Sequence, residues 1–321
     1  MSRAKNSVNL KTITEAYDRI STLLRSTPVQ TSSYINELVG KNVFFKCENF
    51  QKTGSFKVRG ALNKVLKNVS LEPNTNNQNG FVTYSCGNFG QGLAWACHVN
   101  KSPCTIVVPQ GTPQNKINAI ELYADVVLCE SNPLIGLSLI DQISKEKNYT
   151  LARSSNDIDV ICGQGTCAYE FLDQVKELDA IVVTVSGGGL IAGISAYAKS
   201  MNPSLKIIAV EPEGKRLAEC LRKNERNLDN RPQRNLNSIA ESINYELCCE
   251  KAFPIMVTFI EPDDVITVSD SEMIEATKMI FERMKLVIEL AAGNITTNLL
   301  QTNSKNLFQL IRFNFKFKVL L

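Results

Sequence analysis

The sequence predicts an α/β fold whose strands run parallel in two sheets. Short β-branched runs alternate with amphipathic stretches of helix length through the first half of the chain. The same alternation resumes after Gly163, and turn residues punctuate both halves. Strands that alternate with helices must cross over, and crossovers through helices make parallel sheets.

Taken in order, the strand-like runs of the first half are 42–48 (NVFFKCE), 80–85 (GFVTYS), 104–110 (CTIVVPQ) and 125–130 (DVVLCE). Between them lie the helical stretches 57–68, 88–99 and 112–124. In the second half a helix is predicted from about Gly163 to Val175, then a strand at 180–186 (AIVVTVS), a helix after Gly189 and a strand at 206–212 (KIIAVEP). Ser269, a residue able to cap a helix N-terminus, opens a further helix over 269–285. The polar stretches 70–80 and 222–237 are rich in turn and charged residues and are predicted as surface loops.

Composition removes several classes of function. The chain has 321 residues, 44% of them hydrophobic, enough to bury one large or two mid-sized cores. Its 35 basic and 32 acidic residues are spread without the dense basic stripe of a nucleic-acid binder. No segment has the apolar length that spans a bilayer, and the N-terminal residues lack a signal-type apolar core, so a cytoplasmic protein is expected. The ten cysteines are scattered along a chain that can stabilise itself by its core, and they are read as mostly reduced. No CxxC occurs and His98 is the single histidine, read as a helix-packing residue, so no structural zinc site is expected.

Three segments carry chemistry. The first, Asn49 to Ala61, is a loop with Thr53, Gly54 and Ser55 that runs into a helix starting near Lys57. The positive end of a helix dipole disfavours protonation of an amine there and favours its use as a nucleophile, although most lysines at such places are merely solvated. The second, Ser85 to Gly92, joins a strand to a helix. Its backbone N–H groups and its Ser and Asn side chains suit a carboxylate, or form a plain capped turn. The third, Ser186 to Leu190, is a glycine run after a strand. It suits a phosphate, or a tight structural turn, and lacks both the P-loop lysine and the dinucleotide spacing.

In their order and spacing the three segments resemble the fold type II pyridoxal-phosphate enzymes, and within them the serine racemase and serine/threonine dehydratase branch. The resemblance runs from about Leu10 to Gly293 and takes in Thr27-Pro28, Ser32-Ser33, 163–166 (GQGT), 209–212 (AVEP) and 282–285 (ERMK). It implies a tryptophan synthase β-like architecture of two open parallel-sheet domains with helices on both faces. The large domain would comprise 1–76 and 156–321, and a small mobile substrate domain 77–155.

The resemblance implies pyridoxal 5'-phosphate as cofactor and an amino acid as substrate, in a homodimer with neither nucleic acid nor membrane as partner. Lys57 matches the Schiff-base lysine, which moves a proton on one face of the substrate Cα. Phe56 matches the aromatic packed against the ring and Asn88 the amide at its 3-hydroxyl. Gly187, Gly188, Gly189 and Leu190 match the phosphate loop, and Ser85, Gly87, Asn88 and Gln91 the substrate-carboxylate loop. The implied chemistry is racemisation of L-serine, β-elimination to pyruvate and ammonia, or both. ATP as an effector is implied near Ser32, Ser33 and Lys52, which are equally suited to cap and surface roles.

Four departures qualify these expectations. The opposite-face proton donor of the racemases, commonly serine, is Cys86; a thiol can exchange protons near neutrality, and a small buried filler is the alternative. The usual histidine after the asparagine is Phe89. The divalent cation (Mg or Ca) of the racemases would take Glu211 and a carboxylate six residues on, but that residue is Leu217, and a hard cation needs several oxygens. Finally, the expected strand and Ser/Cys-Gly-Gly-Asn turn, whose hydroxyl or thiol bonds the ring nitrogen, is replaced over 294–321 by a tail without glycine or acid. Its Asn, Lys, Phe, Ile and Leu bias is that of a translated A/T-rich non-coding stretch. An atypical C-terminus is therefore expected, with a sheet edge missing, Phe313, Phe315 and Phe317 on the surface, and a cofactor-binding pseudoenzyme as the alternative function.

Overall fold

The structure, a computed structural model, describes residues 7–71, 80–293 and 317–320. In chain order the elements are α1 (Leu10–Ile20), β1 (Val29–Gln30), α2 (Ser33–Val39), β2 (Val43–Lys46), α3 (Lys57–Leu71), β3 (Phe81–Tyr84), α4 (Asn88–Val99), β4 (Cys104–Pro109), α5 (Gln114–Glu121), β5 (Asp125–Cys129), α6 (Pro133–Lys147) and β6 (Thr150–Leu151). They continue with α7 (Ile158–Gln174), β7 (Ala180–Thr184), α8 (Gly189–Met201), β8 (Lys206–Pro212), α9 (Leu217–Lys223), α10 (Phe253–Phe259), β9 (Val265–Val268), α11 (Asp270–Met284) and β10 (Phe317–Leu320). Local signals set several boundaries. Asn9 caps α1 and Ser269 caps α11, each in a reciprocal box with the residue three positions on, and Gly40 ends α2 in the left-handed region.

Among the described residues the strands form a six-stranded sheet in the order β1-β2-β10-β7-β8-β9 and a four-stranded sheet in the order β5-β4-β3-β6. Every pairing is parallel except that of the edge strand β1 with β2. The two central strands of the smaller sheet, β3 and β4, are buried along nearly their whole length. Phe81, Ile106 and Val108 pack with residues of α3 and α4 on one face, while Val82 and Val107 pack with Ile140 and Ile143 of α6 on the other. Successive side chains of a strand point to opposite faces, so helices cover both.

The C-terminal tail departs from the sequence expectation. Rather than leaving the large sheet short of an edge, Phe317–Leu320 forms β10 inside it. Phe317 stands opposite both Val43 of β2 and Ala180 of β7, and Val319 opposite Phe45 and Val182. A short β-branched and aromatic run satisfies a parallel ladder through its backbone, so the glycine-bearing turn expected there is not required for pairing. Phe313 and Phe315 lie outside the described residues.

Helices α3, α4, α7 and α8 pack as a connected layer through small residues. A Cβ on Gly92 of α4 would stand 3.1 Å from Val58 Cα in α3. One on Gly163 of α7 would stand 2.6 Å from the Arg59 carbonyl oxygen. These close approaches draw together the N-terminal ends of α3 and α4, and α7 joins them to α8.

Candidate active site

Lys57 is the first residue of α3, and the helix is anchored from its other side. Arg59 lies about 200° around the helix from Lys57, faces the interior and is fully buried. Its guanidinium donates to both oxygens of Glu48 (2.7 and 2.8 Å) and to both oxygens of Glu170 on α7 (2.8 and 2.9 Å). Lys46 Nζ, also fully buried, donates to Glu170 at 2.7 Å and to the Thr27 carbonyl at 2.9 Å, and Thr27 Oγ1 donates to Glu48 at 2.6 Å. Two cations and two carboxylates thus neutralise one another in the interior and fix the turn from which Lys57 projects. Residue spacing does not show this network, because its members come from β2, α3, α7 and the segments beside them.

On the cleft side, Lys57 Nζ lies 5.2 Å from the Phe56 ring centroid, and among the described residues it makes no hydrogen bond or ion pair. Burial lowers its pKa from 10.5 to about 8, against the opposing influence of Cys249 and Glu289. Cys249 links the lysine to the glycine turn. Its N–H donates to the Gly187 carbonyl at 2.8 Å, and a Cβ on Gly187 would stand 2.9 Å from its sulfur and 2.8 Å from Ser155 Cβ. Gly188 caps α8 at φ +88 without a side-chain cap. A side chain at 187 would collide with Ser155 and Cys249, and the first-turn N–H groups of α8 have no carbonyl of their own helix to meet.

The Ser85–Gly92 segment reaches the same place through Glu289. Asn88 Nδ2 donates to Glu289 Oε1 at 2.8 Å, and Ser242 Oγ donates to its other oxygen at 3.3 Å. Ser85 Oγ accepts from Gly90 N at 3.1 Å and Gly87 N at 3.4 Å, so it shapes the turn at the head of α4. Gly87 is the N-cap of α4, without a side-chain cap bond, and Gln91 sits in the first turn, half-buried. Cys86 is half-buried at the edge of the core under α4. Phe89 is buried in that core, so the apolar residue at this position has an apolar place. Tyr245 lies near both Cys86 and Cys249, and burial raises its pKa. Leu190 is buried in the first turn of α8.

Other candidates stand apart. Glu211, on β8, is buried: one oxygen accepts from Leu217 N at 2.8 Å and the other from Thr267 Oγ1 at 3.2 Å. Burial raises its pKa to about 7, outweighing those bonds and the Lys215 ammonium. Among the described residues no group of three or more His, Cys, Asp or Glu is arranged to hold a metal ion. Ser32 caps α2 by accepting from Ile35 N, Ser33 is the first residue of that helix, and Lys52 is exposed. His98 packs on the Tyr123 ring, and all ten cysteines are free. No helix among the described residues is long and apolar enough to cross a membrane.

The family model for pyridoxal-phosphate dependent enzymes matches residues 20–306. The chain belongs to the pyridoxal-phosphate-dependent enzymes. It is 37% identical over 306 residues to the serine racemase of Dictyostelium discoideum, spanning 93% of this chain and 90% of that one. The structure of a pyridoxal 5'-phosphate-dependent aspartate racemase matches with a TM-score of 0.90 at 42% identity, covering 98% of this chain and 94% of the other. The structure of a T.th. threonine deaminase matches with a TM-score of 0.86 at 29% identity, covering 97% and 96%. The residues of this pyridoxal-phosphate-dependent enzyme fit the cofactor. An amine of lowered pKa, without a hydrogen-bond or ion-pair partner among the described residues, stands beside a side-chain-free turn at a helix N-terminus, which suits an aldehyde and a phosphate held side by side.

Proposed function

We propose that this racemase and dehydratase relative acts on L-serine, interconverting the enantiomers and eliminating the β-hydroxyl to give pyruvate and ammonia, as a cytoplasmic homodimer. The observation that carries the reading is the adjacency of the Lys57 amine to the Gly187–Gly189 turn through Cys249. When bound, pyridoxal phosphate supplies an electron sink for the charge left on Cα after proton removal.

The chain's residues supply position and proton transfer. The Lys57 amine would hold the aldehyde and carry a proton on one face of Cα, a task that needs it neutral near physiological pH. Gly187, Gly188, Gly189 and Leu190 would present N–H groups to the phosphate, Phe56 would pack against the ring, and Asn88 would offer its amide to the 3-hydroxyl. Ser85, Gly87, Asn88 and Gln91 bind the substrate carboxylate at the head of α4. Cys86 delivers a proton from the opposite face, so racemisation needs its thiol and elimination does not.

Aspartate is the alternative substrate, favoured by the likeness to the aspartate racemase structure. Lys116 on α5, whose charge is felt by Cys86 and Glu289, is already paired with Glu241 at 2.5 Å, which favours an uncharged substrate side chain. The test is incubation of the holoenzyme with L-serine and L-aspartate, following pyruvate and both D-enantiomers, for the native chain, Cys86→Ser and Cys86→Ala. D-serine that falls at least about tenfold in Cys86→Ala while pyruvate persists supports the assignment. Turnover of aspartate alone, or a borohydride-reduced cofactor adduct on a residue other than Lys57, refutes it.

A further inference from the structure

The position equivalent to a cation site in the racemases does not fit a divalent ion in this chain, and its geometry explains why. One Glu211 oxygen accepts the Leu217 N–H and the other the Thr267 hydroxyl. Leu217, six residues on, is buried and apolar. Between them, Lys215 is 3% exposed, and its Nζ donates to the Tyr245 carbonyl at 2.6 Å and the Glu246 carbonyl at 3.2 Å. Its charge also bears on Glu211 and on Cys248. Chain carbonyls are among the ligands a hard cation takes, and here two of them accept instead from an ammonium group whose charge reaches the buried Glu211.

We infer that Lys215 is a built-in cation that replaces a dissociable metal ion, clamping the 241–249 segment in the arrangement that shapes the cleft. That segment carries Glu241 paired with Lys116, Ser242 bonded to Glu289, Tyr245 beside Cys86 and Cys249, and the Cys249 N–H bonded to Gly187. A tether at the Tyr245 and Glu246 carbonyls therefore sets four contacts at the cleft. Lys215 acts through this segment and is a positioning residue. The inference deepens the proposed function by making that enzyme independent of added cations, and its thermal arm does not rest on that reading.

The experiment measures the melting temperature of the holoenzyme with excess chelator, with Mg2+ or with Ca2+, for the native chain and Lys215→Ala. The native chain is expected to melt within about 1 °C in all three, because a ligand without a site adds no binding term. Lys215→Ala is expected to melt several degrees lower and to recover at least half of that loss in methylammonium chloride, but not in tetramethylammonium chloride, which is too large and has no N–H. The same addition restores its KM for L-serine more than its kcat. A saturable rise of the native melting temperature with Mg2+ or Ca2+ overturns the inference, and this arm decides the matter if Lys215→Ala does not fold. A variant as stable as the native chain, or one that methylammonium does not restore, overturns it equally. Failure of L-serine turnover with the thermal pattern intact counts against the proposed substrate alone.

Discussion

The lowered pKa of Lys57 makes cofactor attachment a direct readout of the site. At pH 7 an amine with pKa about 8 is about one-tenth neutral, whereas an ordinary lysine is neutral in about one molecule in three thousand, a difference of about 300-fold. When cofactor-free protein is mixed with pyridoxal phosphate across pH 6 to 10, the rate of growth of the visible absorption band should rise about tenfold per pH unit. It should bend to a plateau near 8. Removing the Glu289 carboxylate, which pulls the pKa upward, should move the bend to lower pH in Glu289→Gln.

The linkage has a defined sign. Between the folded value near 8 and the unfolded value of 10.5 the unfolded chain holds the proton and the folded chain does not, so stability of the cofactor-free protein rises with pH through that window. The burial cost behind the shift is about 2 to 3 kcal/mol, the lower figure allowing for water in the cleft. A rate that climbs without a bend to pH 10, or a visible band that survives Lys57→Ala, refutes the reasoning.

Three further outcomes follow from the packing. Arg59→Ala leaves Glu48 and Glu170 facing each other without their shared cation and should cost about 3 to 5 kcal/mol, read from urea midpoints at pH 7. Deleting residues 317–321 removes a strand hydrogen-bonded on both sides, so the truncated chain should be insoluble or lose its cooperative melt, whereas Val29→Ala on the edge strand β1 should shift the melting temperature by only a few degrees. Gly187→Val places a branched side chain against Ser155 and Cys249 and should weaken cofactor retention at least about tenfold by equilibrium dialysis, while the far-ultraviolet circular dichroism stays native.

Several features of the molecule were written in local sequence. The alternation of β-branched and amphipathic runs specifies strands and helices because period and propensity act within a few residues, as the caps at Asn9, Ser32 and Ser269 show. The order of the Lys57, Ser85–Gly92 and Gly187–Gly189 segments pointed to the pyridoxal-phosphate-dependent family, which the family match bears out.

Only the tertiary structure decided which side chains meet. Asn88 bonds Glu289 across 201 positions, Arg59 bonds Glu170 across 111, and Cys249 closes on Gly187 from a segment in which no spacing singles it out. The tail is the clearest case. Its composition suggested a missing edge, yet pairing of Phe317–Leu320 between β2 and β7 depends on backbone hydrogen bonds that any β-compatible run can make. Local sequence sets propensity and charge, whereas long-range contacts are set by chain crossing and packing, and these place an amine next to a glycine turn more than a hundred residues away.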